Sequence, residues 1–262
     1  MRANRRTVLR SALLTAGGAI AGATATELFG ATSPPLSGGY AAAADRLEAI
    51  RNPSTTITYY VETDEPVVAF TFDDGPGPRW TPMALDALDD WQVPATFFMV
   101  GRNVDRYGDL VRGRLARHEV GNHSWSHADL ATLDLAAAQS ELLRADDAIE
   151  RVTGRRPTVM RPPYGHLAGS TVLAADALGH AVVLWSHQMH ERRYVADPAG
   201  QVRDIVDSVT PGAIVLAHDV GAQRRLVALR HLGEMFAGLR RRGFRLVTVS
   251  QLLALGSGSV RP

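Results

Sequence analysis

TFDDGPGPR, Thr71 to Arg79, joins an apolar run to a Gly/Pro turn through two adjacent aspartates. The run before it, VVAFTF (Val67 to Phe72), has the length and the β-branched and aromatic content of a buried strand. Ala95 to Val100, Ala181 to Trp185, Ala213 to Ala217 and Phe244 to Val249 read the same way. Amphipathic segments lie between them. Leu135, Leu142, Ile149 and Val152 share one helical face, which Gly154 and Pro157 bring to an end. Leu226, Leu229, Leu232, Phe236 and Leu239 form a second stripe closed by Gly243. This alternation predicts an α/β fold with parallel strands, arranged as an open sheet or a barrel. Both architectures collect their chemistry where strands end and loops begin, and Asp73 and Asp74 stand at such an end. In isolation Asp-Gly-Pro is also ordinary turn chemistry.

With 45% apolar and 21% charged residues, the 262-residue chain has a globular composition, and a formal net charge of +1 gives no reason to expect a nucleic-acid partner. Every basic residue is arginine and there is no cysteine. Thiol catalysis, thiolate metal sites and disulfides are therefore excluded, so any metal must be held by His, Asp and Glu. Paired arginines, Arg5 and Arg6, precede the mild apolar stretch SALLTAGGAIAGATA and Ala-x-Ala sites. That pattern predicts a twin-arginine export signal with its linker over 1–44, and a secreted or cell-wall-associated protein. The stretch is too short and glycine-rich for a stable membrane span. A lead-in over 45–64, one catalytic domain over 65–256 and a tail at 257–262 complete the expected organisation, as a monomer.

GNHSWSH (Gly121 to His127) sets His123 and His127 four residues apart, on one helical face or along one tight loop, within reach of a single ion. Imidazoles with a carboxylate suit zinc or a similar first-row ion, and either Asp73 or Asp74 has the chemistry of a third ligand. Three protein ligands leave positions open for water and substrate. RPPYG (Arg161 to Gly165) reads as a stiff, extended loop. Neither proline has an N–H, so Tyr164 offers the first backbone donor after the rigid run, as an oxyanion hole needs. Arg161 has the fork that braces a carboxylate. His218, in PGAIVLAHDVG, follows an apolar strand directly and so falls at the same rim as the aspartates if the strands are parallel.

TFDDGP, HSWSH, RPPY and LAHD, in this order, with VPATFFMVG between the first two, resemble the polysaccharide deacetylases of the NodB-homology group, carbohydrate esterase family 4. The resemblance runs from about Pro66 to Leu255. It implies a distorted (β/α) barrel with one divalent metal, zinc before cobalt or another first-row ion, held by Asp74, His123 and His127. It also implies Asp73 as general base, Arg161 orienting it, Tyr164 lending its backbone N–H, and His218 as general acid. Where the family usually carries an Asp-Trp pair that tunes the acid histidine, this chain reads SHQMHERRY, and Glu191-Arg192 aligns with that pair. Glu191 is then the expected tuning residue, while Arg192 alters the wall of the acetyl pocket. His187 and His190 in this segment read as loop residues. Trp80, Trp125 and Trp185 are candidates for stacking on sugars or for the core. The implied substrate is an acetylated polysaccharide, first of all N-acetylglucosamine units. The alternatives are an esterase acting on O-acetyl groups and a retired enzyme that only binds glycan.

Overall fold

The computed structural model describes residues 52–256. The predicted export signal and linker and the predicted tail lie outside them. Nine strands form one sheet: β1 (Ile57–Thr58), β2 (Val67–Asp73), β3 (Thr96–Met99), β4 (Glu119–Asn122), β5 (Val159–Met160), β6 (Ala181–Val183), β7 (His187–Gln188), β8 (Ala213–His218) and β9 (Arg245–Val247). Their order is β1-β6-β5-β4-β3-β2-β8-β7, with β9 also paired to β2, and every strand pairing is parallel. An isolated antiparallel bridge from Tyr60, just after β1, to Ala213 of β8 draws the two sides of the curled sheet together in a distorted barrel. Among the described residues no helix is long and apolar enough to cross a membrane.

β2 is the axis of this sheet. All seven of its residues are buried, as a strand covered on both faces requires. Its whole length from Val68 to Asp73 runs beside β8, while its other edge is shared between β9 at the start and β3 at the end. Phe70, Phe72 and Phe97 join α1 (Trp80–Asp90) and the later helices in the main core. The register sets one layer at the carboxyl rim. Asp73 lies opposite His218 on one side and Phe98 on the other, and Asn122 pairs with both Met99 and Met160. Residues just beyond those positions, His123 and Arg161 among them, enter the same rim.

Several expectations change. β1 draws part of the 45–64 lead-in into the sheet. β1, β4, β5 and β7 carry no apolar run long enough to announce a strand; three of them have two residues, and β4 reads EVGN. His187 belongs to β7 and not to a loop. The last predicted strand is cut to β9, because Val249 begins the helix Val249–Gly256. α2 (Gly101–Tyr107) follows β3, and the long predicted helix is present as α3 (Leu135–Thr153), capped by the Asp134 side chain and ended by Gly154 in the left-handed region. α4 (Gly169–Ala177) and α5 (Pro198–Ser208) follow. The second stripe is two helices, α6 (Arg225–Arg230) and α7 (Leu232–Arg241), broken at His231. The break lets α6 pack on α1 while α7 packs mainly on α5. Trp80 is 8% exposed inside the core, so it is no sugar platform.

His118 lies buried where β4 begins. Its Nδ1 accepts the Ala95 N–H at 3.2 Å, and its ring meets Phe97 edge-on. Burial first, then the charges of Arg117, Arg155 and Arg114, push its imidazole down to about 4 against the pull of Asp89. An unfolded histidine titrates near ~6.5, so the unfolded chain takes up the proton first on acidification. Stability from this group is therefore complete above pH ~6.5 and is lost as pH falls toward about 4. Between pH 7.5 and 5 the loss should be about 2 kcal/mol. Urea melts of His118→Asn, which keeps an acceptor toward Ala95, should show a pH slope flatter by that amount.

Candidate active site

The guanidinium of Arg161, leaving β5, is wholly buried and satisfied on every side. Its Nη1 donates to Asp73 Oδ1 at 2.8 Å and to Thr71 Oγ1 at 2.7 Å. Its Nε and Nη2 donate to the carbonyls of Val183 and Leu184 at 3.0 and 2.8 Å. Phe98 lies under the guanidinium plane, 4.1 Å from its carbon. Burial pulls its pKa below the ordinary value while the Asp73 charge opposes, and a guanidinium stays cationic across any working pH. One side chain thus ties the ends of β2, β5 and β6 and screens the first aspartate.

Asp74 turns the other way. Its φ of 77° is left-handed, and its carbonyl accepts Asn103 Nδ2 at 2.7 Å. Asp74 Oδ1 lies 3.1 Å from His127 Nε2 and 3.6 Å from His123 Nε2. One donor atom from each of the three residues falls within 4.8 Å of the others. Donors each about 2.1 Å from a common ion stand roughly 3.0–3.5 Å apart, so the Asp74 spacings suit a first-row cation. The protonation pattern also fits. His123 Nδ1 is 2.7 Å from the Arg161 carbonyl, which can only accept, so that nitrogen carries hydrogen and Nε2 is the one that could bind a cation after giving up its own proton. Burial would raise the Asp74 carboxyl, but hydrogen bonds and charge from His123 and His127 hold it far below the carboxylate range. Burial would lower His123, and Asp73 and Asp74 raise it instead.

The two histidines lie on a tight loop and not a helical face. Ser124 and His127 both have left-handed φ, and the loop is clamped from α3. Asn122 Nδ2 donates to Leu142 O and Asp146 Oδ1, while its Oδ1 accepts the Ser124 N–H. Glu141 takes the Ser126 N–H and hydroxyl. On the opposite side His218 Nδ1 is 3.0 Å from Glu191 Oε1. Burial would raise the Glu191 carboxyl, yet the hydrogen bond to His218 keeps it below its usual value. The predicted extended loop stops at Pro162. Pro163–Gly165 curls into a 3-10 turn with Tyr164 at φ 63°, and the Tyr164 N–H has no partner among the described residues. The Tyr164 ring stands edge-on to His127, 4.8 Å between centroids, and is mostly exposed. Trp125 packs against the main core under Arg144, and Trp185 lines the second core beside Arg161.

Three further residues were not singled out in the sequence. Arg225 Nη1 meets Asp74 Oδ2 at 2.6 Å from 151 positions away, a pairing that leaves no local signal. Asp219, within LAHD, is buried; burial chiefly, with the nearby charges of Asp74 and Asp73, pushes its carboxyl up to about 7 despite a hydrogen bond from Thr81. Thr81 also accepts the Gly77 N–H at 2.7 Å, so this pair holds the Gly/Pro turn under the aspartates. A Cβ on Gly75 would fall 2.4 Å from Asp219 Oδ2, which is why glycine stands there. Asn122 sits inside GNHSWSH, where a polar residue ending a strand beside two histidines is a readable signal.

Replacing Arg161 with methionine leaves the buried Asp73 carboxyl without its partner. The variant should lose about 3–5 kcal/mol in chemical denaturation, or fail to fold. Replacing the exposed Arg112, whose pair with Asp109 is solvent-screened, should change stability by less than about 1 kcal/mol in the same melts.

Comparison with known proteins bears on the fold and the family. The family model described as Polysaccharide deacetylase matches residues 60–183. A peptidoglycan-N-acetylglucosamine deacetylase of Bacillus cereus is 34% identical over 204 residues, which cover 77% of this chain and 94% of that protein. Among solved structures, the Bc1960 peptidoglycan N-acetylglucosamine deacetylase superposes with a TM-score of 0.71 at 26% identity, over 76% of this chain and 92% of its own. BA3943 of Bacillus anthracis, described as a CE4 family pseudoenzyme, superposes with a TM-score of 0.69 at 25% identity, over 80% of this chain and 72% of its own. The motif order, the parallel curled sheet and the match over nearly the full length of a relative carry one conclusion: this chain belongs to the polysaccharide deacetylase family.

Proposed function

We propose that this chain is a metal-dependent hydrolase that removes N-acetyl groups from glycans containing N-acetylglucosamine, releasing acetate. The observation that carries this reading is the disposition of Asp73. One of its oxygens is committed to Arg161, while Oδ2 faces the three-donor cluster, 3.8 Å from His123 Nε2. A base beside a hydrolytic metal site has that geometry. A divalent ion held by Asp74, His123 and His127, zinc first, would supply Lewis acidity toward a water and the acetyl carbonyl.

The chain's own groups supply the rest. Asp73 Oδ2 takes the proton of the attacking water, with Arg161 keeping the other oxygen occupied. The unpartnered Tyr164 N–H donates to the oxyanion that forms as the carbonyl carbon becomes tetrahedral. His218 gives a proton to the departing sugar nitrogen, and Glu191 at its Nδ1 holds the ring in place. That pair favours the amide over the ester reading, because an amine leaves only once protonated. Two intact proton-transfer groups likewise argue against a glycan binder without turnover. The relatives named for peptidoglycan and the paired arginines near the start support a place outside the cell.

Chelation should abolish acetate release from chitooligosaccharides, and zinc or cobalt should restore it. Activity unchanged by chelation would refute the ligand assignment. Asp73→Asn should lower kcat by at least about 100-fold with metal content near normal. His127→Ala should instead lose bound metal, read by elemental analysis. Glu191→Gln should lower kcat on an N-acetyl substrate far more than on an O-acetyl one, since only the former needs its leaving group protonated.

A further inference from the structure

Beside the proposed proton donor lies a recess of about 400 Å³, lined by Gln188, His190, Glu191, Arg192, Arg193 and Arg224. Its charge is lopsided. Glu191 is the one acid in the lining, and it is held by His218. Among the described residues no carboxylate pairs with Arg192, Arg193 or Arg224; Arg193 lies over the Tyr194 ring, 5.3 Å from its centroid. The neighbouring Arg225 is already taken by Asp74. Three guanidinium groups around one concavity repel one another and focus a positive potential into it. Each offers a planar fork that matches a carboxylate.

The recess touches the proposed site twice. Glu191 belongs to both, and Arg224 directly precedes the arginine that grips Asp74. An occupant would therefore lie beside the sugar being deacetylated. The volume is at the lower end for small-ligand pockets, enough for a substituted sugar. We infer that this recess is a subsite for an anionic glycan, one whose sugar next to the reacting unit carries a carboxylate. This rests on the deacetylase reading and narrows its substrate to acidic glycans over neutral ones. Arg192, standing where the family usually has tryptophan, then recognises charge in place of an apolar wall.

The test uses peptidoglycan glycan strands freed of peptide, whose alternate sugars bear a lactyl carboxylate, and the same strands with those carboxyls reduced to alcohols. Wild-type KM for acetate release should rise about tenfold on reduction with kcat little changed, as loss of one charge-assisted pair implies. The double variant Arg192→Gln/Arg224→Gln should show equal KM values on the two strands. Equal KM values in the wild type, or a preference surviving in the double variant, would overturn the subsite. Titration calorimetry of both strands on His218→Gln reads binding without turnover, and the same tenfold contrast is expected. A binding contrast with no acetate released by the wild type would sink the deacetylase reading and leave the subsite standing. Acetate released alike from both strands, with equal binding, would sink the subsite alone.

Discussion

The buried pairing of Arg161 with Asp73 is the constraint on which the rim of this barrel depends. Burying a guanidinium and a carboxylate together costs several kcal/mol of desolvation, and only full hydrogen bonding offsets it. Here the offset comes from Thr71, Val183 and Leu184, on β2 and at the end of β6. The pair therefore sets how β2, β5 and β6 can meet. Arg161 also offers its carbonyl to His123, so the group that screens one aspartate orients an imidazole aimed at the other. Its side chain screens one acid and its backbone carbonyl holds the imidazole.

Two neighbouring carboxylates at a strand end repel each other unless each has a cation of its own. The strand's alternation resolves this. Asp73 points into the buried layer against Arg161, whereas Asp74, at left-handed φ, swings toward His123, His127 and Arg225. Each acid meets its own cations. Asp219 is the third acid of this neighbourhood, and its raised pKa comes chiefly from burial, with the charges of Asp74 and Asp73 adding to it. The proposed chemistry uses this partition: one oxygen of Asp73 fixed, the other free toward the donor cluster.

On the far side of the site the pair is His218 with Glu191. Glu191 is longer than aspartate yet still reaches His218 at 3.0 Å, because the segment after β7 carries it to the rim beside β8. The adjacent Arg192 brings a cationic side chain to the recess beside this pair.

Much of this could be read along the chain. The apolar runs that became β2, β3, β6 and β8, the α3 stripe and the metal-suited residue types are local patterns, and local physics governs them: burial periodicity, turn chemistry and donor identity. Tertiary structure alone decided the short strands β1, β5 and β7, the break at His231, and the Arg225 and Asn122–Asp146 contacts. A two-residue strand has too few positions to carry a period, and an ion pair across 151 residues leaves no trace until the backbone folds. The sequence by itself determined which groups were available to meet at the barrel rim. Parallel register determined that they do, because it carries the ends of β2, β4, β5 and β8 to one layer where Coulomb forces and hydrogen bonds act at short range.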